Sequence, residues 1–480
     1  MTQSPHKWMV FALVAVVQFM VVLDISIVNV SLPSIQKDLG FDQNTLQWVV
    51  TAYALGFGGF LMFGGRAADL FGRKRILMGG MLAFIIFSVI LGFANSSFTM
   101  TLFRALQGLS AAFMSPAALS TVLTTFEDGP ERHKALGWWT TVSTGGAAVG
   151  LLLGGLLSQY LSWRWNFFVN FPIGVILSLL MWRLLPAHAK ESKDHHLDLL
   201  GATLVTTGLI TLVYTFAEIP TWGWMSWKTC WMLAFTFFLL ALFVWNESRV
   251  KHPLMPLSIF KIRNVVGANL MMIPISASMM GLFFLMALYI SLVLGYSPIK
   301  TGFAFLPFPI ILSFVARRVA RFVMRFGYKP FLITGIVIVA LAMGWLSRMP
   351  VEGHYWPDLL PAILAMPVGM GLIFMPLTVA ATAGVPGNEA GLISGMVSTS
   401  QQMGGALGLA ILSGVAASAA ASFQSDNPMA AMVHGYQTAF LTACAFLVVA
   451  LLMALFVIKQ PKRPATAPAA PEPAPVVNLE

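Results

Sequence analysis

Long apolar stretches, each broken by a short cluster of charged or turn-forming residues, run the length of the chain. A helix needs roughly 20 apolar residues to cross a bilayer. On that measure the pattern predicts fourteen spans, over residues 8–32, 44–64, 75–95, 98–125, 135–158, 164–185, 199–217, 229–247, 264–294, 301–319, 330–347, 357–380, 391–420 and 437–458. Connections as short as Ala94-Asn95-Ser96-Ser97 permit only antiparallel neighbours, so the spans are expected to cross back and forth in simple succession.

Charge sets the expected orientation, because basic residues are retained on the cytoplasmic side. With the N-terminus inside, 22 of the 28 Lys and Arg fall in cytoplasmic segments; Lys37, Arg164, Lys228, Lys300 and Arg348 fall outside, and Arg104 lies within a span. An even number of crossings returns the C-terminus inside as well. The net charge of +10 is therefore read as topology and not as a nucleic-acid footprint, since no continuous basic patch forms.

Composition closes off the soluble classes. The chain is 58% hydrophobic and 10% charged, against about 45–50% and about 25% in soluble domains, which gives an all-α integral membrane fold. No Gly-Lys-Ser/Thr phosphate loop, Ser/His/Asp arrangement or paired intramembrane carboxylate can be placed, so no enzyme is expected. Cys230 and Cys444 are far apart, and His195-His196 beside Asp194 reads as a solvated loop. Neither a disulfide framework nor a metal site is expected, nor any cofactor.

Gly65-Arg66-Ala67-Ala68-Asp69-Leu70-Phe71-Gly72-Arg73-Lys74 has a faint copy 255 residues later, where Arg321, Phe326, Gly327 and Lys329 match Arg66, Phe71, Gly72 and Lys74. Both copies follow an inward-running span, which suggests two related halves. The expected organisation is a six-helix bundle over 1–190, an inserted helix pair over 191–260, a second six-helix bundle over 261–460 and a Pro/Ala-rich disordered tail over 461–480.

Few residues inside the spans carry chemistry. Asp24, in Leu23-Asp24-Ile25-Ser26-Ile27-Val28-Asn29-Val30-Ser31-Leu32-Pro33, is the only acidic residue well inside a predicted span. An ionised carboxylate there is costly unless paired or solvated, so it should face a cavity or a partner. Arg104, in Arg104-Ala105-Leu106-Gln107-Gly108, is the only basic one. At 1.5 Å per residue the two lie at similar depth, about 12 and about 10 Å below the outer helix ends, so they are able to meet. The fifth span carries Gly145-Gly146-Ala147-Ala148-Val149-Gly150-Leu151-Leu152-Leu153-Gly154-Gly155, a spacing that lets helices approach closely.

On these motifs, with Trp48-Val49-Val50-Thr51-Ala52-Tyr53, the Trp163–Pro172 segment, Gly295-Tyr296-Ser297-Pro298 and Gln401-Gln402-Met403-Gly404-Gly405, the sequence resembles the fourteen-helix drug:proton antiporter branch of the major facilitator superfamily over nearly the whole chain. The resemblance implies proton coupling at Asp24 and Arg104, helped by Gln107. It implies a gating loop at Gly65, Asp69, Gly72, Arg73 and Lys74 that locks the halves in the outward-facing state. The glycine-rich helix, with Gly146, Gly150, Gly154 and Gly155, looks like the superfamily's antiporter motif, except that Leu151 stands where proline is usual.

What the branch exports is implied in the same way: lipophilic organic cations, biocides, dyes or antibiotics, moved across the bacterial cytoplasmic (inner) membrane by alternating access, with the proton gradient as energy source. By helix position Asn29, Tyr53, Tyr289, Met375 and Gln401 are candidate cavity residues, and Glu218 a second proton or cation site. The short segment from Ser422 to Tyr436 argues against a periplasmic adaptor, so a single-component, monomeric pump in the lipid bilayer is expected. A lipid or lipid-precursor translocase and a non-transporting sensor or scaffold remain as alternative readings.

Overall fold

The computed structural model describes residues 6–42, 45–126, 130–185, 198–250, 253, 257–382, 390–424 and 426–460. In chain order the helices are α1 (His6–Leu39), α2 (Trp48–Phe71), α3 (Arg73–Gly92), α4 (Ser97–Thr125), α5 (Pro130–Tyr160), the short α6 (Trp165–Phe168) and α7 (Asn170–Leu184). They are followed by α8 (Leu199–Trp222), α9 (Trp227–Glu247), α10 (Arg263–Leu288), α11 (Pro298–Phe305), α12 (Pro307–Phe326), α13 (Lys329–Leu346), α14 (Leu360–Thr382), α15 (Ala390–Ser422) and α16 (Pro428–Phe456). Among the described residues there is no strand.

Among the described residues, thirteen helical segments are long and apolar enough to cross a membrane. Helix α2 carries no charged residue from Trp48 to Gly65. Some boundaries shift from the expected ones. Helix α1 continues through Pro33 to Leu39 instead of ending near 32, and Gly40, at φ 67°, turns the chain. The sixth and tenth spans are each broken, at Val169 and at Leu306, where Pro307 cannot continue the preceding hydrogen-bond ladder.

The same pairings recur in two groups of helices. In the first, α1 packs on α5, α2 on α4, and α3 on both α4 and α7; in the second, α10 packs on α15, α12 on α14, and α13 on both α14 and α16. Large apolar side chains on the outside, such as Leu341, Phe237 and Leu179, are exposed, as lipid-facing positions require. The expected boundary at 190 and the tail over 461–480 lie outside the described residues.

The two groups meet through α2 with α15 and through α5 with α11 and α12. Several of these contacts lie at the face opposite the start of α1 and the end of α16: Ser413 donates to Gln47, the Ile299 amide donates to Gln159 at 3.2 Å, and Gly155 sits on Pro298 and Ile299. The pair α8–α9 lies across one of these junctions. Thr206 of α8 donates to the Gly59 carbonyl of α2 at 2.7 Å, while Val213 and Ala217 share an apolar cluster with Ala54 and Leu55 of α2 and Ala406 and Ala410 of α15.

Candidate functional site

Asp24 and Arg104 meet in the first group. Arg104 Nη1 donates to Asp24 Oδ2 at 2.7 Å, and both side chains are fully buried. The depths read from the sequence allowed this contact. The environment that holds it comes from three other helices.

Helix α4 starts at Ser96, whose hydroxyl accepts from the Thr99 amide at 3.2 Å. Two turns on, Arg104 and Gln107 stand three residues apart on one face. Gly108 lies directly against the Tyr53 carbonyl and Gly56 against the Ala105 carbonyl, so α2 and α4 come closer than side chains would allow. That proximity lets Arg104 Nε donate to the Val49 carbonyl at 2.9 Å and sets its guanidinium 4.3 Å from the centre of the Tyr53 ring.

The carboxylate is equally well supplied. Asp24 Oδ1 accepts from Gln107 Nε2 at 2.9 Å and from Asn170 Nδ2 at 2.8 Å, while Gln107 also accepts from Arg104 Nη1 at 2.7 Å. Ser88 of α3 completes the cluster, accepting from Gln107 Nε2 at 2.8 Å. Three donors on one buried carboxylate favour its ionised form, and burial opposes it. Such a group changes its proton affinity when any one partner moves.

Ser88 and Asn170 were not picked out from the sequence. Asn166 and Asn170 are uncharged, so they stand out little in an apolar run. Their usable signal is the spacing: two amides one helical turn apart inside a span both need partners. The structure supplies them, with Asn166 donating to Ser31 and, at 2.9 Å, to Ser158.

The glycine-rich helix has a defined task. Gly146, Gly150 and Gly154 lie against the Phe19, Leu23 and Ile27 carbonyls of α1, at 2.9, 2.8 and 2.5 Å from where a Cβ would stand. Gly155 faces instead across to α11, and Gly302 of α11 rests on the Leu151 carbonyl, 2.6 Å from where its own Cβ would stand. A counterpart exists in the second group, where Gly404 of α15 lies against the Ile273 carbonyl of α10, 2.6 Å from its Cβ position, and Gly408 against Ala277. Close glycine packing therefore belongs to both repeats and is not peculiar to the fifth span.

The loop between α2 and α3 turns at Gly72, with φ 95°. Lys74 donates to the Trp182 and Leu185 carbonyls at the end of α7, at 2.8 and 2.6 Å, so its bonds stay within the first group. Gly65 sits 3.6 Å from Pro116 by its Cβ position; Arg73 is half-buried and is held by an interaction of its own. The Asp69 side chain lies outside the described residues.

The candidate cavity residues do not gather in one place. Asn29 and Tyr53 are buried, Asn29 donating to the Ile25 carbonyl and Tyr53 lying under Arg104. Tyr289, just past the end of α10, is also buried, and its hydroxyl donates to the Pro350 carbonyl of the α13–α14 connection at 2.7 Å. Met375 packs on the core of the second group and Gln401 is half-buried on α15. Glu218 is half-exposed at the far end of α8, in Coulomb reach of Asp42 and Tyr214.

Comparison with known proteins agrees with this architecture. Residues 14–409 match the Major Facilitator Superfamily. The chain is 39% identical over 464 residues to the puromycin resistance protein pur8 of Streptomyces alboniger, covering 95% of this chain and 92% of that one. It is 37% identical over 432 residues to the cephamycin export protein CmcT of Amycolatopsis lactamdurans, covering 89% and 88%. In structure it resembles the POT family transporter PepTSo, at a TM-score of 0.70 and 14% identity over 95% of this chain and 99% of the other. With its repeated helix pairings, its buried charge pair and these matches over most of its length, the chain belongs to the Major Facilitator Superfamily and is a multi-pass secondary transporter, not an enzyme.

Proposed function

We propose that this transporter exports antibiotic-like and other lipophilic small molecules, cations among them, from the bacterial cytoplasm in exchange for protons that bind Asp24. The observation that carries the coupling is the Asp24–Arg104 pair sealed inside a membrane helix bundle. The substrate class rests on the relatives that confer resistance to, or export, antibiotics.

Parting a buried ion pair without compensation costs roughly 3–5 kcal/mol. A proton delivered to Asp24 removes that cost, because Arg104 keeps neutral acceptors at Val49 and Gln107 and the face of Tyr53. Neutral Asp24 loses its hold on Arg104 and on a cationic substrate, so the emptied protein returns to the inward-facing state carrying the proton. With both termini cytoplasmic, as the Lys and Arg distribution supports, and with α2 as a fourteenth span, the face that carries Gln47–Ser413 and Gln159–Ile299 is the outer one. Parting those bridges opens the exit. The pump works as a single chain without a periplasmic adaptor and needs no cofactor beyond the proton gradient.

The test is efflux from proteoliposomes under an imposed pH gradient, with puromycin and a fluorescent lipophilic cation as probes, comparing the parent with Asp24→Asn. Gradient-driven efflux in the parent and its loss in the variant supports the reading. Equal efflux in both places the proton site elsewhere, and no parental efflux of either probe removes the substrate assignment.

A further inference from the structure

Three polar residues on α1 stand seven apart: Asp24, Ser31 and Asp38. Seven residues are almost two full helical turns, so they form one stripe, with rungs about 10 Å apart along the helix. Each rung meets the same short stretch of chain. Asp38 is bound by Arg164 and by Trp163 Nε1 at 3.0 Å; Ser31 is bound by Asn166 and by Ser158 at 2.8 Å; Asp24 is bound by Asn170. The first rung is open, since Asp38 and Arg164 are 46% and 32% exposed, whereas the other two are fully buried.

The buried rungs are polar beyond what their hydrogen bonds use. Asn166 and Asn170 each donate through the amide nitrogen and leave the carbonyl oxygen with no hydrogen-bond partner among the described residues. Buried acceptors of this kind are where proteins hold water. The two asparagines are one helical turn apart, about 6 Å, a gap that one or two waters bridge. Every member of the stripe belongs to the first helix group, so the line does not run through the junction between groups.

We propose that the seam between α1 and the Trp163–Asn170 segment is a hydrated route by which protons reach Asp24 from the outer face, apart from the path taken by the exported molecule. The proposal rests on Asp24 as the coupling site. Asp38 and Arg164 form its mouth, Ser31 and Asn166 its middle, and Asp24 its end. Among the described residues, Arg104 and Tyr53 are the other charged or titratable groups facing Asp24. The orphaned oxygens of Asn166 and Asn170 orient the waters between them, and a proton moves along that line by exchange of hydrogen bonds.

The experiment compares Asn166→Leu, Asn166→Ser and Asp24→Asn in proteoliposomes by two readouts: efflux driven by a pH gradient, and exchange of labelled for unlabelled substrate without a gradient. Exchange needs the protein to cycle but not a proton to arrive. Asn166→Leu is expected to slow driven efflux by about tenfold or more through kcat, with KM and exchange near the parent; Asn166→Ser, small enough to admit water, should restore most of the rate. Parent-like driven efflux in Asn166→Leu, with Asp24→Asn inactive, overturns the route alone. Equal loss of both activities in Asn166→Leu shows a structural role and overturns it too, while driven efflux surviving in Asp24→Asn overturns the coupling site itself. As a second measurement, Asn166→Cys is made in a background of Cys230→Ser and Cys444→Ser, which replaces the two free cysteines. A small hydrophilic thiol reagent added outside should label it; a site that stays unlabelled while the protein turns over rejects a hydrated seam.

Discussion

Lys74 and Lys329 hold equivalent positions in the two repeats and make the same bonds. Lys74 donates to the Trp182 and Leu185 carbonyls at the end of α7, and Lys329 to the Leu455 and Ile458 carbonyls at the end of α16. Each follows a left-handed glycine, Gly72 at φ 95° and Gly327 at φ 80°, that turns the chain between two helices. The ammonium of each lysine thus meets the negative end of the last helix in its own group.

If closing a bundle is the main task of these lysines, Lys74→Met and Lys329→Met should behave alike. Each is expected to cost about 1 kcal/mol or less, with a fall in melting temperature of a few degrees in detergent. The double variant should lose the sum, since the sites belong to different groups. Transport abolished by Lys74→Met but not by Lys329→Met, at equal melting temperatures, would instead assign Lys74 to gating.

The charge pair makes a prediction of unusual sign. Arg104→Met leaves Asp24 buried without its cation, and a cost of roughly 3–5 kcal/mol is expected. Adding Asp24→Asn to Arg104→Met removes the stranded charge, so the double variant should be more stable than Arg104→Met alone, though both should lack driven transport. Thermal unfolding of the three proteins checks this; a double variant less stable than Arg104→Met would show that Asp24 is not held as an anion.

Asp24 and Arg104 were legible in the sequence for one reason: a charge in a long apolar run has a cost that demands a partner. Hydropathy placed most spans because the bilayer imposes a length. It did not place the end of α1, because Pro33 removes only one hydrogen bond and the helix is held beyond it by neighbours, Asn166 on Ser31 and Arg164 and Trp163 on Asp38. Asn170 and Ser88 escaped notice because neutral polar side chains are common enough in spans to carry little signal. Helix position gives depth without giving direction, so it did not show that the Tyr289 hydroxyl reaches the Pro350 carbonyl.

Neighbouring glycines on one helix should differ sharply in tolerance. A Cβ on Gly150 would stand 2.8 Å from both the Leu23 carbonyl and Ser26, whereas one on Gly145 meets nothing within 4 Å. Gly145→Ala should therefore fold and transport like the parent. Gly150→Val must push α5 away from α1 beside Asp24, and a loss of about 2 kcal/mol or more is expected from overpacking, together with impaired driven transport. Expression, melting temperature and efflux of the two variants decide it, and a Gly150→Val protein equal to Gly145→Ala would mean that the α1–α5 contact is looser than described.

Coupling through a single carboxylate has a consequence for energetics. One proton exchanged for one monovalent cation moves no net charge, so export draws on the pH difference, worth about 1.36 kcal/mol per unit. It does not draw on the voltage, worth about 2.3 kcal/mol per charge per 100 mV. A neutral substrate exchanged for the same proton does move one charge. Efflux of a monovalent lipophilic cation at fixed pH gradient should accordingly be flat against potassium diffusion potentials, while efflux of a neutral substrate should rise with inside-negative voltage. A steep voltage response with the cation would require a second proton site, for which Glu218, half-exposed at the far end of α8 beside Asp42, is the residue to neutralise first. Glu218→Gln should then flatten that response, and if it leaves the slope unchanged the second proton is carried elsewhere.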